Sequence, residues 1–187
     1  MIVLASKSPR RRELLGMLGL EFTLASPSAD ETLPEGISPR EGVEELSRRK
    51  ALSLSGEYPN DLIIAADTLV AVDGRCLGKP RDPSEARRML SELSGRSHEV
   101  FTGVTICLGE RVVTKSERTE VIFRALSDEE IEAYVSSGEP MDKAGAYGIQ
   151  SKGSLLVEGI KGDYFNVVGL PVCTLGLMLK EFGIEIL

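Results

Sequence analysis

Leu62-Ile63-Ile64-Ala65-Ala66-Asp67-Thr68 is the stretch on which the fold turns. Five consecutive apolar residues predict a central strand covered on both faces, as in a layered α/β protein. The strand is expected to end on a carboxylate, at the edge where open α/β sheets bind ligands. An aspartate there is costly unless a metal or a cation compensates it. Upstream, Ile2–Ala5 is a short apolar run suited to a second buried strand. Pro9 fits the first position of a helix capped by Ser8, with Leu14, Leu15 and Leu18 on one face and Gly19 at its end. Downstream, Asp73-Gly74 is a tight-turn signal between strands at 69–72 and 76–77, and residues 99–108 and 111–123 form a long hairpin across Gly109-Glu110.

Helices fill the intervals. Ser38-Pro39-Arg40-Glu41 is a capping box that opens a helix through about Leu54. Asp82-Pro83-Ser84-Glu85 opens another, with Ala86, Met89, Leu90 and Leu93 as its apolar stripe. Ser127-Asp128-Glu129-Glu130 is a further capping box, followed by Ile131, Tyr134 and Val135, and Pro171 opens a last helix carrying Leu175, Met178, Leu179 and Phe182. The alternation predicts a three-layer α/β fold. The long hairpin makes its central sheet mixed rather than purely parallel.

The 187 residues suit one domain, 1–187, and 42% apolar with 27% charged residues is an ordinary globular balance. Twenty-two Lys and Arg against 29 Asp and Glu leave a formal charge of −7, which argues against a nucleic-acid partner. No apolar run approaches the ~18 residues of a membrane span. Residues 1–5 are too short for a signal-peptide core and are followed, not preceded, by basic residues. Cys76, Cys107 and Cys173 are widely spaced without a CxxC, which predicts a reduced, cytoplasmic setting. With one histidine, the scattered cysteines also argue against a structural zinc site. These features predict a cytosolic protein acting on something small.

Several catalytic signatures are absent: GxSxG, GxxxxGK[ST], GxGxxG after a strand, and HExxH. His98, standing alone, reads as a structural hydrogen-bonding residue. Three other segments carry chemistry. In Ser6-Lys7-Ser8-Pro9-Arg10-Arg11-Arg12, three arginines crowd a helix N-terminus, the wrong end for cations against the helix dipole. A polyanion in front of them explains that placement, and a solvated basic face is the alternative. Asp67 suits a hard cation such as Mg²⁺ or a general base for water, the alternative being a helix or turn cap. Lys79 sits on a loop constrained by Gly78 and Pro80. Lys50 shares the inward helical face of Val43 and Leu46, where it either snorkels outward or reaches a buried anion. Residues 139–150 form a tight glycine-containing loop with buried Tyr147 and Ile149, ending in Gln150, whose amide both donates and accepts and so suits a base edge. Cations for a polyphosphate, a carboxylate for metal and water, and an amide for a base describe nucleotide phosphate hydrolysis without a P-loop.

The runs Leu4-Ala5-Ser6-Lys7-Ser8-Pro9-Arg10-Arg11, Ala66-Asp67-Thr68, Gly78-Lys79-Pro80, Ser94-Gly95-Arg96-Ser97-His98, Asp142-Lys143-Ala144-Gly145-Ala146-Tyr147-Gly148-Ile149-Gln150 and Asn166-Val167-Val168-Gly169-Leu170-Pro171 resemble the Maf family, in order and over essentially the whole chain. The resemblance implies a two-lobed, inosine-triphosphatase-like architecture with a cleft. It also implies cleavage of a nucleoside triphosphate to the monophosphate and pyrophosphate with a divalent metal, Mg or Mn. Arg10, Thr68 and Gln150 fall with the branch acting on dTTP and UTP. The branch acting on 7-methyl-GTP carries Trp and Gln at the first two positions and lacks the Ile-Gln pair. Ser151 and Lys152 depart from the family, which usually has glycine directly after the glutamine.

By the same resemblance Asp67 is the catalytic carboxylate, activating water or holding the metal, and Glu31 is a second metal-side carboxylate. Ser6, Arg10, Arg11, Lys50 and Lys79 hold the polyphosphate, with Thr68 and Gln150 on the substrate side. Thymine and uracil share an N3–H flanked by carbonyls, and the thymine methyl is worth only about 1 kcal/mol, so one amide serves both. Removal of non-canonical pyrimidine nucleotides and assembly as a homodimer are further implications. The family's name, given for septum formation, keeps open a different class: a nucleotide-responsive regulator of cell division with incidental turnover.

Overall fold

Strand β1 (Ile2–Ala5) runs parallel to both of its neighbours, β2 (Thr23–Ala25) and β3 (Leu62–Val72), in the computed structural model, which describes residues 1–187. All other pairings are antiparallel. β3 pairs with β5 (Ser97–Leu108), β5 with β6 (Arg111–Phe123) and β6 with β7 (Val157–Lys161), giving the order β2-β1-β3-β5-β6-β7. β4 (Arg75–Leu77) folds back on the end of β3. The sheet is mixed, as expected, and both predicted hairpins form. Leu108 pairs with Arg111 across Gly109-Glu110, and Val72 with Arg75 across Asp73-Gly74. Asp73 and Gly74 both take positive φ, 50° and 74°, as a two-residue turn matched to strand twist requires.

One expectation needs correcting. Residues 62–66 do not end at Asp67: β3 continues unbroken to Val72, with Asp67 paired to Gly103 and Thr68 to Thr102. A charged residue interrupts the apolar pattern without interrupting the ladder, because the backbone pairs whatever the side chain is. The strand that stops beside Asp67 is β1, whose pairing with β3 ends at Ala5–Ala65, while β4 begins only at Val70. Between them residues 66–69 of β3 have no strand on that edge, and the site opens there. The short strand β2 carries no recognisable signal in the sequence, and β7 is the strand to which the 139–150 loop leads.

The helices are α1 (Pro9–Gly16), α2 (Pro39–Leu52), α3 (Pro83–Leu93), α4 (Asp128–Ser136), α5 (Tyr164–Val168) and α6 (Val172–Glu181). The capping boxes of Ser38 with Glu41 and Ser127 with Glu130 both form. Ser8 does not cap α1 through its side chain; its backbone N–H instead donates to Ser6 Oγ at 3.1 Å, fixing the exit from β1.

Helix α2 covers one face of the sheet. Ala51 packs with Ile63, Ala65 and Cys107, and Val43 with Ala71 and Phe101. Glycine at 103 permits this contact, since a Cβ there would overlap the Val43 carbonyl. The opposite face is one apolar cluster of 32 buried residues, in which Ile64, Ala66, Val104 and Ile106 meet Leu15 of α1, Leu90 of α3 and Leu175 of α6. Strand alternation therefore sends Asp67 toward α2 and Thr68 toward the other layer. No helix is long and apolar enough to cross a membrane.

Candidate active site

A cavity of about 1000 Å³ lies at the unpaired stretch of β3, beyond the carboxyl end of β1. It is walled by the start of α1, the loop after β2, α2, the loop after β4, residues 139–151 and the loop after α5. Every site residue singled out in the sequence lines it: Ser6, Arg10, Arg11, Glu31, Lys50, Asp67, Thr68, Lys79 and Gln150. Arg12, third of the arginine run, is exposed and outside the lining, so the solvated-face alternative holds for that residue.

Lys50 reaches inward. Its ammonium pairs with Asp67 and, at 2.7 Å, with Glu31, and the Lys50 and Asp67 side chains are only 13% and 12% exposed. The hydrogen bond from Lys50 is the main reason that the Glu31 carboxyl is held below its ordinary value, so Glu31 is an anion at neutral pH. Its loop is tied down from behind by Arg49, whose guanidinium donates to the carbonyls of Asp30 (3.1 Å) and Thr32 (2.7 Å). Arg10 approaches Asp142 at 3.9 Å across the cavity mouth. Arg11 is deeper: its Nε donates to the Gly169 carbonyl at 2.8 Å and Nη2 to Thr68 Oγ1 at 3.1 Å. Burial lowers the Arg11 pKa and Asp67 opposes that effect, leaving a guanidinium that stays charged.

The loop carrying Gln150 is braced by Glu139, Tyr134 and Lys143, to which the sequence assigns no role in the site. Glu139 Oε1 accepts from Tyr134 Oη (3.0 Å) and Gly153 N–H (3.0 Å), and Tyr134 Oη accepts from Gly148 N–H (3.3 Å). Lys143 Nζ donates to the Glu139 carbonyl (2.6 Å) and to Asp142 (2.7 Å), its stem lying along Gly148 where any Cβ would collide with it. Tyr147 is anchored by His98, whose Nε2 lies 2.6 Å from Tyr147 Oη, with Phe123 edge-on to both rings. Burial, and secondarily the charge of Arg96, pushes His98 down to about 4, so it stays neutral and structural, as expected. Glu139 opens the 139–150 run, but its side-chain bonds run to residues 134 and 153, a pairing that spacing alone does not disclose.

No three His, Cys, Asp or Glu side chains converge as a metal cage. Asp67 and Glu31 do converge on one point, presently held by the Lys50 ammonium. Two hard oxygen donors beside a group of arginines and lysines fit a Mg²⁺-like ion, which takes one or two protein carboxylates and completes its shell with other oxygens and water.

A strand-edge cavity in which two carboxylates meet at one lysine among further cations, without a P-loop, fits a nucleotide-handling α/β protein. The chain belongs to the Maf family: the profile described as Maf-like protein matches residues 1–182. It is 51% identical to the dTTP/UTP pyrophosphatase of Symbiobacterium thermophilum over 99% of this chain and 95% of that protein. It is also 51% identical to the one from Moorella thermoacetica (99% and 96%) and 49% identical to the one from Bacillus velezensis (98% and 97%). Among solved structures, the Staphylococcus aureus Ham1 protein is similar with a TM-score of 0.48 at 14% identity, over 65% of this chain and 71% of that one.

Proposed function

We propose that this chain hydrolyses nucleoside triphosphates, dTTP and UTP foremost, to the monophosphate and pyrophosphate. The observation that carries this reading is the Glu31–Lys50–Asp67 cluster at the unpaired edge of β3, facing Arg10, Arg11 and Lys79 across one cavity. A pure polyanion binder gains nothing from two carboxylates beside its phosphates; a hydrolase needs them. Near-full-length identity of about half to proteins named dTTP/UTP pyrophosphatase gives the substrate class.

Arg10, Arg11, Lys50, Lys79 and the Ser6 hydroxyl hold the polyphosphate, the guanidinia gripping oxygens in pairs. Asp67 takes the proton of the attacking water or binds the divalent cation, Mg or Mn; either role places an anion beside the bond that breaks. A divalent cation held by Asp67 and Glu31 would supply Lewis acidity and offset the charge that develops on the pyrophosphate. Lys50 fixes both carboxylates before substrate arrives. Thr68 borders the phosphate cations, and Gln150, on a loop braced by Glu139 and Tyr134, meets the N3–H and a flanking carbonyl of the pyrimidine. A cytoplasmic setting is supported by three cysteines that are all free, and a homodimer by the family likeness. Light scattering on the purified protein tests the dimer.

Pyrophosphate release from dTTP, UTP, CTP, dATP, GTP, ITP and 7-methyl-GTP, each with Mg²⁺ and with Mn²⁺, tests the substrate reading. Preference for dTTP and UTP is expected. Preference for 7-methyl-GTP keeps the reaction and overturns the roles of Arg10, Thr68 and Gln150. Tight binding without turnover moves the protein to the regulator class.

A further inference from the structure

A chain of hydroxyls runs from Arg11 into the sheet, and its donors can be counted. Thr102 is fully buried and lies outside the cavity lining. Its hydroxyl donates to the backbone carbonyl of Asn166 at 2.9 Å. That carbonyl needs this donor: Leu170 N–H, the partner it would have in a continuing helix, goes to Phe165 instead, and Asn166 is fully buried. A hydroxyl has one proton, so Thr102 has none left for Thr68, whose Oγ1 stands 2.9 Å away. Thr68 is therefore the donor in that pair. It spends its single proton on Thr102 and presents a lone pair to Arg11 Nη2.

From this direction of bonds we infer that Thr68 and Thr102 are positioning residues for Arg11, and that Thr68 gives no hydrogen bond to the substrate. Phosphate oxygens and base carbonyls only accept, and Thr68 has no proton to offer them while the chain is intact. The other end of the arrangement is closed as well. Arg11 Nε donates to the Gly169 carbonyl, and α5, which leads into Gly169, is fastened to the sheet by Asn166. The Asn166 amide nitrogen donates to the Val100 carbonyl (3.0 Å) and Thr119 Oγ1 (2.9 Å). Arg11 is thus gripped on two of its nitrogens by groups that share one anchor. That leaves Nη1 and the remaining proton of Nη2 for the polyphosphate. Gly169, with φ 126°, fits against both Arg11 and Thr68, where a Cβ would lie 3.6 Å from Thr68 Oγ1 and 3.7 Å from Arg11 Nε. The inference rests on the proposed triphosphatase reading and sharpens it, moving Thr68 from substrate contact to support.

The test compares Thr68→Val, Thr68→Ser, Thr102→Val, Thr102→Ser and the double valine variant by dTTP kinetics, with melting temperature followed in parallel. Both valine variants should lose about tenfold or more in kcat/KM. The double variant should lose no more than the worse single one, and both serine variants should recover to within about twofold of wild type. A Thr102→Val protein that melts like wild type and keeps full kcat/KM, while Thr68→Val loses it, overturns the inference and returns Thr68 to direct contact. So does additive loss in the double variant. Should Thr102→Val fail to fold, Thr102→Ser and Thr102→Cys carry the comparison, serine keeping and the weakly accepting thiol losing activity. The ¹⁵N-resolved Arg11 Nε–H resonance reads the same arrangement without turnover. It should shift in Thr68→Val and Thr102→Val alike, and an unmoved resonance contradicts the inference even if the wild-type chain cleaves no triphosphate, a result that would separately sink the catalytic reading.

Discussion

Asp67 and Gly103 face each other in the β3–β5 ladder, and the missing side chain at Gly103 is what lets the Val43 turn of α2 lie against the sheet. Val43 and Lys50 are two turns apart on the same face of α2, so the close approach at one end carries the ammonium to Asp67 at the other. Gly103→Ala should therefore cost about 1–3 kcal/mol through overpacking. It should also lower kcat more than the stability loss explains, because Lys50 is displaced. Calorimetry and steady-state kinetics on one preparation check both parts.

Asp67→Asn keeps size and removes the charge. It should lower kcat by roughly 10²–10⁴-fold, the span of a lost general base, with binding of dTTP retained. Unchanged turnover would show that Asp67 has neither catalytic role.

Gln150→Glu replaces an amide by an ionised acceptor, which cannot donate to a base carbonyl. One unpaired buried group costs about 1–3 kcal/mol, so kcat/KM for dTTP and UTP should fall about 5- to 150-fold, and by similar factors for both. A loss confined to one of the two would contradict a shared contact.

His98 titrates at about 4 rather than at its ordinary 6.5 because burial disfavours the charged ring. Its neutral form is the folded form, so its contribution is complete above pH 6.5. That contribution erodes as pH falls toward 4, amounting to about 3 kcal/mol over the whole interval. Urea melts of wild type and His98→Phe between pH 7 and 4 should show a steeper loss in wild type, and parallel curves would refute the assignment. Loosening of Tyr147, and hence of the Gln150 loop, should accompany the loss.

Much of this was legible in residues. The capping boxes at Ser38 and Ser127, the stripe at 86–93 and both hairpins are local signals whose physics acts over a few residues, and the chain obeys them. The inward position of Lys50 followed from helical spacing; its partners did not, since Glu31 and Asp67 lie 19 and 17 residues away and meet it only after the sheet forms. The change of side-chain polarity makes Asp67 look like a strand end in the sequence, whereas β3 is held by backbone bonds that ignore the side chain. The bracing of the Gln150 loop by Glu139, and the Thr68–Thr102–Asn166 chain, join residues up to 64 positions apart and leave no periodic trace.

The bond that is cleaved is the most direct question. ³¹P NMR of dTTP incubated with the protein and Mg²⁺ should show dTMP and pyrophosphate growing in equal amounts, with no dTDP at any time. Appearance of dTDP and inorganic phosphate would place attack at the terminal phosphorus and contradict the proposed cleavage to monophosphate and pyrophosphate.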